Sequence, residues 1–139
     1  MGQDFFDLRL QTPGKALIDI SAPVQDEVKK REYQAGLLTL WCTHTGASLL
    51  VQANADNDVV ADIEAFFEEL VPMSPGKYRH KPAEDDNSPS HLRSLLTQTQ
   101  ISIPVENGQL PFGKVQSLYL FEHRQARKSR RLRVHFIGL

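Results

Sequence analysis

Short apolar runs rich in β-branched and aromatic residues recur along this chain, and longer segments of helical periodicity separate them. We predict strands at residues 4–10, 16–20, 36–44, 47–53, 100–105, 115–123 and 131–139. We predict helices within residues 21–33, 56–71 and 87–98. This order indicates an α+β fold, with a mostly antiparallel β-sheet sandwich and helices packed on one side. We expect one domain that spans residues 1–139.

Turn and capping signals separate these segments. The sequence "TPGK" between the first two strands predicts a hairpin or the start of a meander, and the Asn-Gly pair at 107–108 predicts a hairpin turn. Asp56 is placed to cap the second helix, and Pro72 is placed to end it. Ser88, which a proline follows, is expected to cap the third helix. The polar stretch 72–87 is long for a loop, and loops of such length are usually functional or disordered.

Charge and cysteine content narrow the class of protein. The formal net charge is −1, so the chain has no global basic field that would attract nucleic acid. The single cysteine, Cys42, excludes an internal disulfide bond and is typical of a reducing compartment. The N-terminus lacks the pattern of a signal peptide, and no apolar run is long enough to span a membrane. We therefore expect a cytoplasmic protein without nucleic-acid or membrane partners.

His44 interrupts an apolar strand in the stretch "LWCTHTGASLL". Strand alternation places this imidazole on the same face as Leu40 and Cys42, at the end of an apolar row. One interpretation is a histidine at the edge of the core that a backbone carbonyl satisfies. The other is a functional site, because the small residues that follow would let a ligand approach the backbone closely. The sequence leaves both interpretations open.

The start of the third helix offers a second candidate site. His91 is expected near the helix N-terminus, where free N–H groups and the helix dipole favour an anion and a neutral imidazole. Asp86 stands just before this helix, and His80 lies upstream in the same loop. The spacing of these residues matches no standard zinc motif. We expect the neighbouring acids Glu84 and Asp85 only to complement the helix dipole and solvate the loop.

The penultimate strand carries polar residues at both ends of one face, Gln116 and Glu122. They are either the ends of a buried strand or polar groups that line a pocket. His123 follows the end of this strand, and His135 falls on the polar face of the last strand. We expect both of these histidines to be solvated surface residues.

Several motifs in the same order resemble those of the YjbQ-like family. The matching stretches are "THTGASLLVQANADNDVVADIEAFF", "YRHKPAEDDNSPSHLRSLL" and "IPVENGQLPFGKVQSLYLFEHR". The chain departs from the family pattern at Val115, where the family usually has tryptophan, and at Ala53 and Gln98, where it often has glutamate and glycine. These departures affect the expected shape of the pocket and its fit to a substrate.

The resemblance implies an α+β sandwich that assembles as a homotrimer, with the site near the subunit contacts. It implies that three histidines converge, with Asp86 and Glu122 nearby. The metal ligands that it implies are His44, His80 and His91, with Zn²⁺ or Mg²⁺ as the divalent ion. The catalytic residues that it implies are His44, Asp86 and His91. The implied ligand-binding residues are Thr45, Ser48, Asn54, Gln116, Glu122 and Arg124.

The activity that the resemblance implies is that of a thiamine-phosphate synthase. Such a transferase joins an aminopyrimidine methyl diphosphate to a thiazole phosphate and releases pyrophosphate, as a main or a weak side activity. Thr45, Ser48 and Arg124 would then contact phosphate oxygens. The alternative is a homotrimer without a reaction of its own that binds a metal ion or a small phosphorylated molecule.

Overall fold

The computed structural model describes residues 1–54, 56–74, 76–80, 84 and 86–139. Its strands are β1 (Gly2–Thr12), β2 (Ala16–Asp19), β3 (Ala35–Cys42), β4 (Ala47–Ala53), β5 (Gln100–Glu106), β6 (Gln116–Glu122) and β7 (Lys128–Gly138). Its helices are α1 (Ser21–Lys30), α2 (Asn57–Leu70) and α3 (Asn87–Leu96). The predicted order of strands and helices is confirmed, and so is the α+β class.

The strands form two antiparallel sheets. One sheet has the order β1-β7-β3-β5 and the other the order β2-β6-β4. The core between the sheets consists of large aliphatic side chains that are fully buried, among them Leu38, Leu40, Leu118, Leu120 and Leu132. Burial of this apolar surface is the main force that holds the sheets together.

The predicted pairing of neighbouring strands is wrong at the first turn. β1 and β2 do not form a hairpin, because β1 pairs along its full length with β7 while β2 pairs with β6 in the other sheet. The connections from β3 to β4 and from β6 to β7 also pass from one sheet to the other. The two turns at which these crossings occur lie at the same end of the sandwich, because Gly46 O accepts a hydrogen bond from His123 N.

The helix caps agree only in part with the sequence. Asp56 caps α2 as predicted, and its carboxylate accepts the N–H groups of Asp58 and Val59. Ser88 does not cap α3. The helix begins two residues earlier than predicted, at Asn87 after Asp86, and the Ser88 hydroxyl instead donates to the carbonyl of His80. In the part of the chain that the structure describes, no helix is long and apolar enough to cross a membrane.

Candidate functional site

A cleft of about 500 Å³ lies beside the turn that joins β3 to β4. It is lined by residues 41–45, by His91, Ser94 and Leu95 of α3, and by Thr99. His44 and His91, the two histidines that the sequence singled out first, therefore share one cavity. Its volume is in the range of small-molecule sites, roughly 300–1,000 Å³.

The His44 ring is held in one orientation by the backbone. The N–H of Arg131 donates to His44 Nε2 over 2.8 Å, so the neutral imidazole carries its proton on Nδ1. Burial lowers the pKa of His44 below its ordinary value, and the charge of nearby Arg130 lowers it further. His44 is therefore a neutral hydrogen-bond donor at physiological pH. The backbone does satisfy this histidine, but through an N–H group and not through the expected carbonyl.

His91 ties α3 to the β3–β4 turn. Its Nδ1 lies 3.1 Å from the carbonyl oxygen of Thr45, and because a carbonyl only accepts, Nδ1 carries a proton. Ser94 lies one turn further along the same helix face, and its hydroxyl donates to the same oxygen over 2.9 Å. Ser94 follows His91 by three residues in a predicted helix, and this spacing could have identified it from the sequence.

His80 and His91 meet at one amide group. The Nε2 atoms of the two rings lie 2.8 and 3.0 Å from Oδ1 of Asn87, and the ring centroids are 5.9 Å apart. Oδ1 can accept only from a protonated Nε2, so the His91 tautomer that carries its proton on Nδ1 alone would require the Asn87 amide to present its N–H group instead. The Asn87 amide thus bridges the two imidazole rings. Asn87 was not among the predicted site residues.

Cys42 lines the cleft but is a protonated thiol. Burial raises the pKa of the Cys42 thiol above its ordinary value. Its Sγ lies 3.4 Å from the carbonyl oxygen of Ala47, to which it donates. A thiol in this state is a poor nucleophile and a poor metal ligand.

Ser48 is buried away from the cleft and pairs with a histidine that the sequence assigned to the surface. The Ser48 hydroxyl lies 2.8 Å from Nε2 of His123. The prediction for His123 is wrong, because only 2% of this residue is exposed and its ring packs on Phe121. Burial, together with the positive charges of neighbouring side chains, lowers the pKa of His123 to about 3. His135, by contrast, is half-exposed and lies against Phe5 on the outer sheet face.

Glu122 is fully buried, and all its contacts are internal. Both carboxylate oxygens accept from Arg130, each over 2.7 Å, and Thr12 and the backbone of Arg124 donate two further bonds. These four donors leave no open side for a ligand. The Glu122 carboxylate therefore acts as a link between structural elements in this chain.

Asp86 is engaged by Arg124, and its recorded partners do not include an imidazole. The Asp86 carboxylate accepts from Nε of Arg124 over 3.2 Å and from the backbone N–H of Gln125 over 2.6 Å. Glu84 pairs with the same arginine over 2.6 Å. Two carboxylates thus neutralise Arg124, and Asp86 places a negative charge where an anion was expected at the start of α3. Asp85 lies outside the described residues.

Asn54 and Gln116 lie at the far end of the smaller sheet. Ala53 pairs with Gln116 at one end of the β4–β6 ladder, and Ala47 pairs with Glu122 at the other. These ends are separated by six residues, roughly 20 Å along a strand. Val115, the expected departure from the family pattern, also lies at this far end, where its carbonyl accepts from Asn54 N.

The cleft brings together three of the predicted site residues, His44, Thr45 and His91, and His80 joins them through Asn87. Among the described residues, no cluster of three or more His, Cys, Asp or Glu side chains is arranged to hold a metal ion. Trp41 and Leu95 were not predicted to belong to the site. Both appeared in the sequence to be ordinary apolar residues of a strand and a helix.

Comparison with known proteins identifies relatives along almost the whole chain. Residues 7–139 match the family described as UPF0047 protein YjbQ-like. A UPF0047 protein of Synechocystis sp. is 41% identical over 131 residues, which cover 94% of this chain and 89% of the relative. The UPF0047 protein YjbQ of Escherichia coli O157:H7 is 40% identical over 97 residues, which cover 70% of each chain. The crystal structure of an uncharacterised family protein from Clostridium acetobutylicum has a TM-score of 0.84 at 30% identity, and covers 95% of this chain and 99% of that one.

The expectation of thiamine-phosphate synthase activity is wrong on these findings. The curated relatives carry only the family designation, and none of them indicates that activity. A YjbQ-like structure from Sulfolobus solfataricus P2, with a TM-score of 0.85 at 20% identity over 99% of this chain and 100% of that one, is described as a protein of unknown function. The relatives establish the family of this chain, but they do not establish a reaction for it. The chain belongs to the UPF0047 protein YjbQ-like family.

Proposed function

We propose that the cleft binds a small planar molecule that carries a hydrogen-bond acceptor. The observation that supports this proposal is the fixed, neutral imidazole of His44 at the wall of the cleft. Its Nδ1–H has no acceptor among the described residues and can donate to a carbonyl or similar group. Trp41, which is 52% exposed, offers an apolar surface for a ring at the same wall.

The lining of the cleft favours an uncharged ligand. Its described lining residues include no lysine or arginine, and Cys42 and His44 are both neutral. The resemblance implies a small phosphorylated ligand, and this stays a prediction. The described lining of the cleft offers such a ligand no cationic side chain. The homotrimer and the cytoplasmic location also stay predictions.

The test is a fluorescence titration, because Trp41 is the only tryptophan of the chain. The probes are benzamide, which is neutral and has a carbonyl acceptor, and phenyl phosphate, which places an anion on the same ring. We expect a saturable change in Trp41 emission with benzamide. The variant His44→Ala should weaken this binding by about three- to tenfold, which is the usual effect of losing one hydrogen bond.

Surface variants separate binding at the cleft from general effects. The matched control is His135→Ala, which removes an imidazole from the same sheet outside the cleft, and it should leave benzamide affinity unchanged. Binding of phenyl phosphate alone would contradict the neutral ligand and favour the phosphorylated class. Equal affinity in wild type and His44→Ala would contradict the proposed site.

A divalent transition-metal ion between His80 and His91 is a second candidate. The convergence of the two Nε2 atoms on the Asn87 amide favours it, since imidazole nitrogens suit Zn²⁺ better than Mg²⁺. Rotation of the Asn87 side chain would make room for the ion or supply its Oδ1 as a ligand. In a separate titration followed by NMR, Zn²⁺ should shift the signals of the His80 and His91 rings. These shifts should disappear in His80→Ala and persist in His135→Ala, and identical shifts in both variants would exclude this site.

A further inference from the structure

The strand β4 leaves part of its outer edge open. It is an edge strand of the three-stranded sheet and pairs with β6 on its inner side. On its outer side, Leu49 and Gln98 exchange two backbone hydrogen bonds in a single bridge. Backbone groups alternate between the two sides of an antiparallel strand, so the N–H and C=O of Val51 point outward like those of Leu49. Among the described residues, these two groups of Val51 have no recorded hydrogen-bond partner.

The sequence of this open edge does not oppose pairing with another extended chain. Exposed edges of sheets are commonly protected by proline, by charged side chains or by very short strands. The strand β5, at one edge of the four-stranded sheet, carries the exposed Pro104. Residues 51–53 of β4 include no proline and no charged side chain. The outer edge of β4 is therefore available as a template for a further strand.

A groove of about 460 Å³ lies beside this open edge, between β4 and α2. We call it the α2 groove. It is lined on β4 by Leu50, Val51 and Gln52, and on α2 by Val59, Asp62, Ile63, Phe66 and Phe67. Phe66 is 58% exposed, although it is a large apolar residue. A groove beside a strand edge can receive alternate side chains of an added strand while the backbone of that strand pairs with the edge.

The charge around the α2 groove is negative. The helix contains no lysine or arginine, and it carries five acids, Asp58, Asp62, Glu64, Glu68 and Glu69. Asp62 lines the groove itself, and no salt bridge is recorded for it among the described residues. The described lining also includes no cationic side chain. An occupant that carries positive charge is therefore complementary to this groove.

We propose that the open edge of β4 and the α2 groove bind an extended segment of another protein, in which apolar residues alternate with lysine or arginine. The segment adds a fourth strand beside β4, on the side where Leu49 pairs with Gln98, and exchanges hydrogen bonds with the backbone of Val51. Its apolar side chains enter the groove beside Phe66, and its cations lie near Asp62. In such strand addition, the main chain supplies affinity and the side-chain pockets supply specificity.

This inference does not rest on the ligand proposed for the cleft. The α2 groove and the cleft have no lining residue in common. Failure of benzamide binding would therefore leave the peptide site standing, and failure of peptide binding would leave the cleft standing.

The first test measures binding of a defined peptide to the full chain. The probe is a hexapeptide of alternating valine and lysine, blocked at both ends and labelled with a fluorophore, and its anisotropy is followed during titration. We expect saturable binding to wild type, and no binding of the matched peptide that has glutamate in place of lysine. Asp62→Lys should weaken binding by about three- to tenfold, because it replaces an attraction by a repulsion. The matched change Asp26→Lys on α1 should leave the affinity unchanged.

The second test asks whether the peptide pairs with the edge as a strand. A saturating amount of peptide should slow the exchange of the Val51 amide hydrogen by about tenfold or more, because it provides an acceptor for that N–H. The amides of Leu50 and Gln52 point to β6 and serve as internal references that should change little. Val51→Pro removes the outward N–H and should weaken binding by about tenfold, whereas Val51→Thr keeps it and should bind as wild type does.

The outcomes that would overturn the proposal are distinct. Wild type that does not bind the valine–lysine peptide, or that binds the glutamate peptide equally well, would exclude a site of this chemistry. Bound peptide with unchanged exchange at Val51 would exclude strand addition. Slow exchange of the Val51 amide before any peptide is added would show that the edge is already occupied, and would also overturn the proposal. Circular dichroism checks the folding of Val51→Pro, and the exchange of wild type decides the question if this variant does not fold.

Discussion

His123 shows how a single residue can be misjudged from its neighbours in the sequence. It follows the last residue of β6 and precedes a basic turn, which is typical of a solvated position. In the fold, the turn bends inward beside Gly46, and the ring is enclosed between Phe121 and Ser48. Nδ1 of His123 has no hydrogen-bond partner among the described residues. Such burial depends on how two connections meet in space, and residue order does not encode this directly.

We predict that His123 makes the protein sensitive to acid. Its pKa falls from the ordinary 6.5 to about 3 in the folded chain. Between these values the unfolded state binds the proton and the folded state does not, so the free energy of unfolding decreases as pH falls through this window. The slope contributed by this residue is at most ~1.4 kcal/mol per pH unit. Urea unfolding at a series of pH values from 7 downward, roughly to pH 4, measures this slope.

The variant His123→Gln tests the assignment. Its glutamine has no titrating ring, so the slope of stability below pH 6.5 should become shallower than in wild type, although the shifted pKa of His44 leaves part of it. The control His135→Gln should keep the wild-type slope, because that ring lies on the outer sheet face. An unchanged slope in His123→Gln would show that other groups cause the acid sensitivity.

At the level of single elements, local chemistry predicted α2 well. The 3.6-residue period and the capping position of Asp56 gave its type and its start, because both signals act within one turn of the helix. Periodicity did not predict what the apolar face contacts. Only Phe67 of α2 is buried, whereas Phe66 and Leu70 remain exposed. The helical spacing of apolar residues shows that one face of a helix is apolar, but it does not show which surface covers that face.

The cap of α2 provides a second measurable prediction. Asp56→Ala removes the acceptor for the N–H groups of Asp58 and Val59, and should lower the free energy of unfolding by about 1 kcal/mol. Thermal or urea unfolding at neutral pH measures the loss. Asp26→Ala changes an exposed acid in the interior of α1 and serves as the control, with little expected effect. Equal losses in both variants would mean that the cap contributes nothing specific.

The arrangement of the whole molecule was the least predictable feature. Each strand was recognisable from its apolar run, but every two strands that follow each other in the chain lie in different sheets. β6 illustrates the difficulty, since Ser117 to Glu122 are buried on both faces and no alternation marks a preferred side. The predicted site residues lie in separate parts of the molecule for the same reason. His44 and His91 meet across two elements, whereas Gln116 lies at the opposite end of its sheet from Glu122.

A buried ion pair joins the two sheets, and we predict that its members are strongly coupled. Glu122 belongs to the smaller sheet, and Arg130 and Thr12 belong to the larger one. Arg130→Met would leave the Glu122 charge buried without a cation and should lower the free energy of unfolding by about 3–5 kcal/mol. Glu122→Leu should have a loss of similar size, because it leaves the buried guanidinium without its carboxylate.

The double variant Glu122→Leu with Arg130→Met should be more stable than the sum of the two single losses implies, because it leaves neither charge unpaired. Urea unfolding of all four proteins gives the coupling energy. Arg31→Met, which removes two more exposed ion pairs, with Glu27 and Asp4, is the control and should have a small effect. The same variants also test the role of Glu122 in binding. If the double variant folds and its benzamide affinity at Trp41 is unchanged, Glu122 joins the sheets and does not contact the ligand. If the free-energy losses of the two single variants simply add in the double variant, Glu122 and Arg130 are not energetically coupled. If the folded double variant loses benzamide affinity, Glu122 contributes to ligand binding.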